Sequence, residues 1–442
     1  MGHNKKKPEC DGNRKISSRN FPFFLFPFSF FLILLLFPSC LTLQKTSTSN
    51  KPLILYNPGR MILHPQFTVY HTGDRESMLF FKVLSSEVVF NQANPSVKDQ
   101  ARLKLFYTLY SSFEKKEIAG RDTQLFVVNR ESVGEAIVGS LRLPAENGKS
   151  YLLDATLEDE IRQTEAREMI LVDRFSEEPR QNWLILNQPN NQVAFESFYY
   201  PDESFRIIKA NPPSNQITVS VFEPRNVLPL PPFSLEERPG YVPVPDSSYT
   251  LAYSEQLQYK LGGEGIYVFH FDPARLKGLC LTQFGERYPQ INRPEDMLPP
   301  LQFISTREEY QKLVADPDRK KAVDDFWLGR GKTFDNTRDL IRIYYNRVIF
   351  ANLYFPSSRQ GWKTDRGMIY VIMGPPSYVS RTETAETWHY ESTQGAQEVR
   401  FEFDLKEDYL WGYDFSLKRK EDYRVLWNTA VDSWRKGKIF SL

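Results

Sequence analysis

Apolar and polar positions alternate at period two through residues 66–174, and this pattern predicts strand after strand. The predicted strands are 67–70, 78–84, 102–110, 125–128, 136–141, 151–157 and 169–172, separated by turn residues such as Glu146-Asn147-Gly148. About seven short strands in about 110 residues predict an antiparallel sandwich of immunoglobulin-like type. A second β-rich stretch follows, with strands predicted at 183–186, 204–208, 217–222 and 265–271. A proline-rich excursion, 228–245, interrupts it and reads as a stiff crossover loop, or alternatively as an extended ligand for an aromatic groove. The glycine-rich Leu261 to Gly265 stretch precedes a strand, so it reads as a hairpin turn and not as a phosphate cradle.

Beyond residue 300 the period changes to that of helices. Thr306 ahead of Glu308 and Glu309 marks a helix start, and further helices are predicted at 319–328, 335–355 and 422–435. Ile341, Tyr344, Tyr345, Val348, Asn352 and Phe355 share one side of the longest, while Tyr423, Leu426, Trp427, Ala430, Val431 and Trp434 form one stripe on the last. Strands are predicted at 387–390 and 399–403, and the continuous apolar run 368–373 reads as a strand buried on both faces. Gly367 before this run and Gly374-Pro375-Pro376 after it punctuate its ends. Trp362 and Asp365 are expected to lock the turn leading into it.

Gly361-Trp362-Lys363-Thr364-Asp365, with Arg366-Gly367 and then Gly374-Pro375-Pro376, resembles the signature of the GWxTD domain. Tyr344 to Asn352 upstream and Glu386 to Tyr390 downstream extend the resemblance over roughly residues 300–415. The family occurs largely in the Bacteroidetes and related bacteria and has no defined biochemical role. The resemblance therefore implies an α+β domain and a bacterial-envelope setting, and no reaction.

The whole pattern predicts a multidomain, β-rich chain: two antiparallel β-sandwich modules at 61–178 and 179–295, then a GWxTD-like α+β domain at 296–442. Of the 442 residues, 41% are hydrophobic and 14% aromatic, which is enough for several cores. Residues 1–39 hold six basic and two acidic side chains; setting them aside leaves 50 basic and 53 acidic, a net charge of about −3. That balance argues against nucleic acid as a partner.

The first 20 residues are polar and basic, 21–37 are almost wholly apolar, and Pro38-Ser39-Cys40 follows. This order predicts an export signal over 1–39. A run of about 17 residues is short for a membrane span, and Pro22 and Pro27 disfavour its first turns, though an uncleaved anchor remains the competing reading. Leu36-Phe37-Pro38-Ser39-Cys40 resembles a degenerate lipobox, with Phe37 and Pro38 departing from the strict pattern. The resemblance implies acylation of Cys40, membrane attachment through that lipid and a polar tether over 40–60. The tether's lack of acidic residues near Cys40 favours a periplasm-facing location. With Cys10 in the signal and Cys40 acylated, only Cys280 remains, so no internal disulfide is expected and Cys280 reads as a small buried apolar residue.

The chemistry is sparse. His64, His71, His270 and His389 stand apart, no zinc or phosphate-loop motif occurs, and no cofactor or metal is expected. Asp365, Arg366, His389 and Glu391 form the sharpest enzymatic idea, since a carboxylate can orient an imidazole for acid–base work. Tyr199, Tyr200 and Tyr253 read either as a sugar-stacking face or as core. The leading expectation is a lipid-anchored envelope protein that binds or scaffolds an envelope partner, without assigned catalytic residues. The alternatives are an envelope hydrolase using Asp365 and His389 and a non-catalytic glycan-binding sandwich.

Overall fold

The computed structural model describes residues 53–441 apart from 92–98, 177–178, 225, 238–241, 273, 275 and 392–397. The predicted export signal, Cys40 and the first part of the predicted tether lie outside the described residues. Among the described residues the chain builds five antiparallel sheets and six α-helices, with the helices gathered in the C-terminal third.

The first seven strands are β1 (Gln66–His71), β2 (Ser77–Leu84), β3 (Gln100–Tyr110), β4 (Ile118–Asn129), β5 (Ala136–Leu143), β6 (Ser150–Asp159) and β7 (Thr164–Asp173). They form a β1-β2-β5 sheet and a β4-β3-β6-β7 sheet. Alternation fixes which side of each is apolar: Leu79, Phe81 and Val83 from one sheet and Leu103, Leu105 and Leu109 from the other share one core. All seven predicted strands of this module are present.

The second sandwich pairs β8 (Trp183–Asn187), β9 (Gln192–Val193), β10 (Ser204–Lys209) and β13 (Tyr259–Lys260) against β11 (Gln216–Phe222), β12 (Ser247–Ala252), β14 (Gly265–His270) and β15 (Leu279–Gln283). Its core includes Trp183, Phe205, Tyr199, Tyr253 and Phe269. Tyr199 and Tyr253 are therefore packing residues and not a sugar platform. Cys280 is a free, buried thiol that burial pushes well above its ordinary range. The Leu261–Gly265 turn is not a hairpin, because β13 and β14 belong to opposite sheets and the turn carries the chain across the sandwich.

The C-terminal region opens with α1 (Pro294–Met297) and α2 (Arg307–Ala315), whose predicted start is closed by a capping box between Thr306 and Glu309. Then come α3 (Arg319–Gly331), the long α4 (Phe334–Tyr354) and α5 (Asp365–Met373). A sheet follows, in the order β16 (Tyr378–Arg381), β17 (Ala385–Tyr390), β18 (Val399–Asp408) and β19 (Gly412–Leu417). Last is α6 (Tyr423–Arg435), whose Tyr423, Trp427, Ala430 and Trp434 close the core as the stripe predicts.

Two expectations change here. The 368–373 run is helix and not strand: Thr364 caps it, and every residue from Arg366 to Met373 is buried. An apolar run with no polar side carries no period, so it fits a helix sealed all round as well as a buried strand, and the cap decides. Second, the far end of the predicted tether is not solvated. Leu53, Leu55 and Tyr56 are buried in the C-terminal core, and Val379 donates to the Leu53 carbonyl at 2.9 Å.

His71 shows how tightly the first sandwich is tied. Its Nε2 meets the Asp173 carbonyl at 3.0 Å, which can only accept, so the proton sits there and Nδ1 accepts from Ser77 Oγ at 2.8 Å. Burial, then Arg174, pulls the imidazole from 6.5 down to about 4. The unfolded chain thus takes up this proton as pH falls through 6.5, and the folded chain only near 4. The stabilisation is whole above pH 6.5 and is lost between there and about 4, a change of roughly 3 kcal/mol. Urea unfolding of wild type and His71→Gln across this range should show the wild type falling more steeply; parallel curves would refute the assignment.

Candidate functional site

The signature corner is built where α4 turns into α5. Gly361, Trp362 and Lys363 form one 3-10 turn, and Thr364 Oγ1 accepts from the Gly367 amide at 3.0 Å while donating to the Gly361 carbonyl at 2.7 Å. A Cβ on Gly367 would overlap the Gly361 carbonyl oxygen and lie 2.7 Å from Trp362 Cα; a Cβ on Gly361 would overlap the Ala351 carbonyl of α4. These two glycines let three backbone segments touch. Trp362 is 2% exposed, packs edge-on against Phe303, and donates its amide to Asn352 Oδ1 at 3.3 Å.

At the other end of α5, Gly374 has φ +90° and faces the Arg347 guanidinium. Arg347 reaches from α4 to donate to the carbonyls of Val371 at 3.2 Å and Ile372 at 3.1 Å, a cationic cap on the helix C-terminus. Pro376 is buried and Pro375 half-buried beyond it, so Gly374-Pro375-Pro376 ends a helix and not a strand. Lys363 is buried, with Nζ 2.7 Å from Asn226 Oδ1 and 5.2 Å from the Trp362 ring, and burial pulls its ammonium down to about 8.

Asp365 does not cap the turn. It is half-buried and accepts from the Leu417 amide at 2.8 Å and from both Arg419 terminal nitrogens at 2.6 and 3.1 Å. Nor does Arg366 pair with it. Arg366 lies between the Phe355 and Phe415 rings, 4.9 and 4.4 Å from their centroids, with Glu386 at 3.9 Å and Asp414 at 3.8 Å. The partners Arg419 and Asp414 carry no local signal in the sequence, and Glu386 is marked only as the start of the downstream stretch of the resemblance; the fold brings all three to this corner.

Glu386 is fully buried. It accepts from Arg381 Nε at 2.7 Å, Trp388 Nε1 at 2.6 Å and the Tyr56 hydroxyl at 3.3 Å. Burial would raise its carboxyl, but Arg381 and then Arg366 reverse this and hold it below its usual range. Arg381 also donates to the Met169 carbonyl of β7 at 2.8 Å.

His389 is engaged elsewhere. Its ring stacks on Tyr378 at 4.2 Å and meets Ser380 Oγ at 3.0 Å and Glu398 Oε1 at 2.5 Å. Asp365 instead lines a cavity of about 210 Å³ with Asp414, Arg359, Arg419, Glu236 and Leu230, and His389 is not part of that lining. Glu391 is exposed, and its amide donates to Ser377 Oγ at 3.1 Å. Asp414 accepts from Ser357 Oγ at 3.0 Å, and burial raises its carboxyl although Arg366 and Arg359 oppose this. Among the described residues no helix is long and apolar enough to cross a membrane.

The helix interior normally prefers alanine to glycine by about 1 kcal/mol. Gly367→Ala is expected to reverse that sign and cost about 2 kcal/mol through the backbone clash, and Thr364→Ala about 1 kcal/mol through the lost cap, both read by urea unfolding. Glu386→Gln should cost about 3–5 kcal/mol, since it leaves Arg381 buried without its carboxylate, whereas cutting the exposed Lys320–Asp324 pair should leave the unfolding midpoint in place.

No curated protein matches the chain. A crystal structure from Bacteroides fragilis described as a candidate beta-galactosidase is similar over 30% of this chain and 19% of its own, at 11% identity and a TM-score of 0.16. The chain thus spans about a fifth of that protein's length, and so slight a likeness transfers neither fold nor activity. Residues 265–436, which contain the whole corner described above, match the GWxTD domain, and the chain is a GWxTD domain-containing protein.

Proposed function

We propose that this chain is a lipid-anchored protein of the bacterial cell envelope, periplasm-facing, that binds or scaffolds another envelope protein. In this reading Cys40 carries the lipid, the two sandwiches are immunoglobulin-like spacers or binding modules, and the GWxTD corner is the framework that holds them. The observation that carries it is the state of the signature itself: Trp362, Thr364 and Asp365 spend their polar side-chain groups on hydrogen bonds within the chain, and Arg366 is held between the Phe355 and Phe415 rings. A side chain fixed in this way supports a shape.

The apposition of Asp365 and Asp414 in one cavity, with the Asp414 carboxyl raised, favours a second reading as an acid–base hydrolase. It replaces the Asp365 and His389 pair, because His389 has other partners.

The two parts separate experimentally. Cys40→Ala should abolish incorporation of labelled fatty acid and move the protein out of the membrane fraction; unchanged label and fractionation would sink the lipoprotein assignment. In-cell crosslinking of the full chain should return a discrete envelope partner that an Asp414→Asn variant keeps. A folded Asp414→Asn protein that retains its partner but loses a hydrolytic activity present in wild type would favour the enzyme.

A further inference from the structure

The partners that hold His389 away from Asp365 form an arrangement of their own. One face of the C-terminal sheet carries Val379, Trp388 and Phe401 into the core. Period two puts Tyr378, Ser380, Thr387, His389 and Arg400 on the opposite face. There Tyr378 stands across from His389 and Ser380 across from Thr387, which makes Ser380 the diagonal neighbour of His389. Ser380 Oγ lies 3.0 Å from His389 Nε2. Glu398, just ahead of β18, brings Oε1 to 2.5 Å from Nδ1. A hydroxyl, an imidazole and a carboxylate are thus joined in series across β16, β17 and the start of β18.

The series has a direction. An ionised carboxylate only accepts, so the contact with Glu398 puts the imidazole proton on Nδ1. In the neutral ring Nε2 is then the acceptor, and Ser380 donates to it. Glu398 is itself held: Arg400 donates to Oε2 through Nε at 2.8 Å and a terminal nitrogen at 2.5 Å, and Tyr378 donates to Oε1 at 3.0 Å. Arg400 first and then His389 pull the Glu398 carboxyl down to about 2, which keeps it ionised. The Tyr378 ring lies flat on the imidazole, 4.2 Å between centroids and 10° from parallel, and fixes the plane of the base. His389 is 8% exposed, whereas Ser380 is open to solvent. The base is therefore shielded and the hydroxyl it would activate is presented outward. Ala385 and Thr387, the β17 residues beside Ser380 on this face, are short and leave room for a small acyl group.

We propose that Ser380, His389 and Glu398 form a nucleophilic site that hydrolyses esters of small carboxylic acids, with Ser380 as nucleophile, His389 as general base and Glu398 as the positioning residue. Ser380 Oγ bonds to the ester carbonyl carbon as its proton passes to His389 Nε2. The carbon–oxygen bond to the alcohol breaks, and the alcohol leaves with that proton. Water then attacks the acyl-serine and gives a proton to Nε2; the carboxylic acid departs and Ser380 takes the proton back. The site needs neither the lipid anchor nor the Asp365 cavity. Diisopropyl fluorophosphate should label the purified full chain on Ser380, located by peptide mass mapping, and p-nitrophenyl acetate should be hydrolysed. Ser380→Ala should lose both reactions with its melting temperature unchanged, since the hydroxyl is exposed. A folded His389→Gln protein should be labelled at least about 100-fold more slowly. The imidazole nitrogen shifts of His389 should place the proton on Nδ1 in wild type and lose that signature in Glu398→Gln. No adduct on Ser380 in folded protein, labelling of His389→Gln at the wild-type rate, acetate hydrolysis undiminished in Ser380→Ala, or the wild-type proton on Nε2 would overturn the site. Turnover of p-nitrophenyl decanoate as fast as the acetate would overturn the small-acyl assignment.

Discussion

The fully buried Glu386 carboxylate ties separate stretches of this structure together. An ion taken out of water costs several kcal/mol, so it persists only where cations and donors surround it closely. Here they come from three separate stretches: Arg381 and Trp388 from its own sheet, Tyr56 from the segment ahead of the first sandwich, and Arg366 from the family signature. Arg381 then passes the constraint on to β7 through the Met169 carbonyl. Exposed pairs such as Lys320 with Asp324 contribute little beside this, because water screens them. One buried charge thus fixes the N-terminal segment, the first sandwich and the C-terminal sheet against one another.

The signature follows from that arrangement. A nine-residue helix that is buried from Arg366 to Met373 must have both ends satisfied from inside the protein. Thr364 serves the first end and Arg347 the second, so both polar groups are demanded by the position of the helix. Gly361 and Gly367 are demanded by the closeness of α4 to the turn, and Gly374 by its backbone angle and the guanidinium beside it. Trp362 fills the wedge that remains. Each signature residue answers a packing question before any chemical one.

Local patterning made part of this legible. The alternation of β2 and β3 and the stripe of α6 announce themselves, because each has one buried side and one side open to solvent. The failures lie where that contrast vanishes. The helix α5 has no polar face to give it a period, and β12 is exposed along its whole length, so neither carries an alternation to read. β15 is buried along its whole length and hides the same way. The partners at the site were beyond reach for another reason. Asp365 meets Arg419 across 54 positions and Tyr56 meets Glu386 across 330, and no local window contains such a pair.

The proline-rich excursion shows how the second sandwich and the C-terminal region depend on one another. Arg419 donates to the Leu230 carbonyl with the same nitrogen that grips Asp365, and Lys420 donates its amide to the Pro232 carbonyl. Lys363 reaches Asn226, Arg424 lies 4.2 Å from the Phe233 ring centre, and Leu228 and Phe233 pack against the C-terminal core. The excursion's first part, Leu228 to Phe233, is therefore a strap laid over the signature corner, and the prolines there suit that work because proline has little backbone entropy left to lose. The family match begins at residue 265, inside β14 of the second sandwich, which fits a unit that extends past the helices. The signature aspartate then has its reason in this strap: by fixing Arg419 it fixes the donor that holds Leu230.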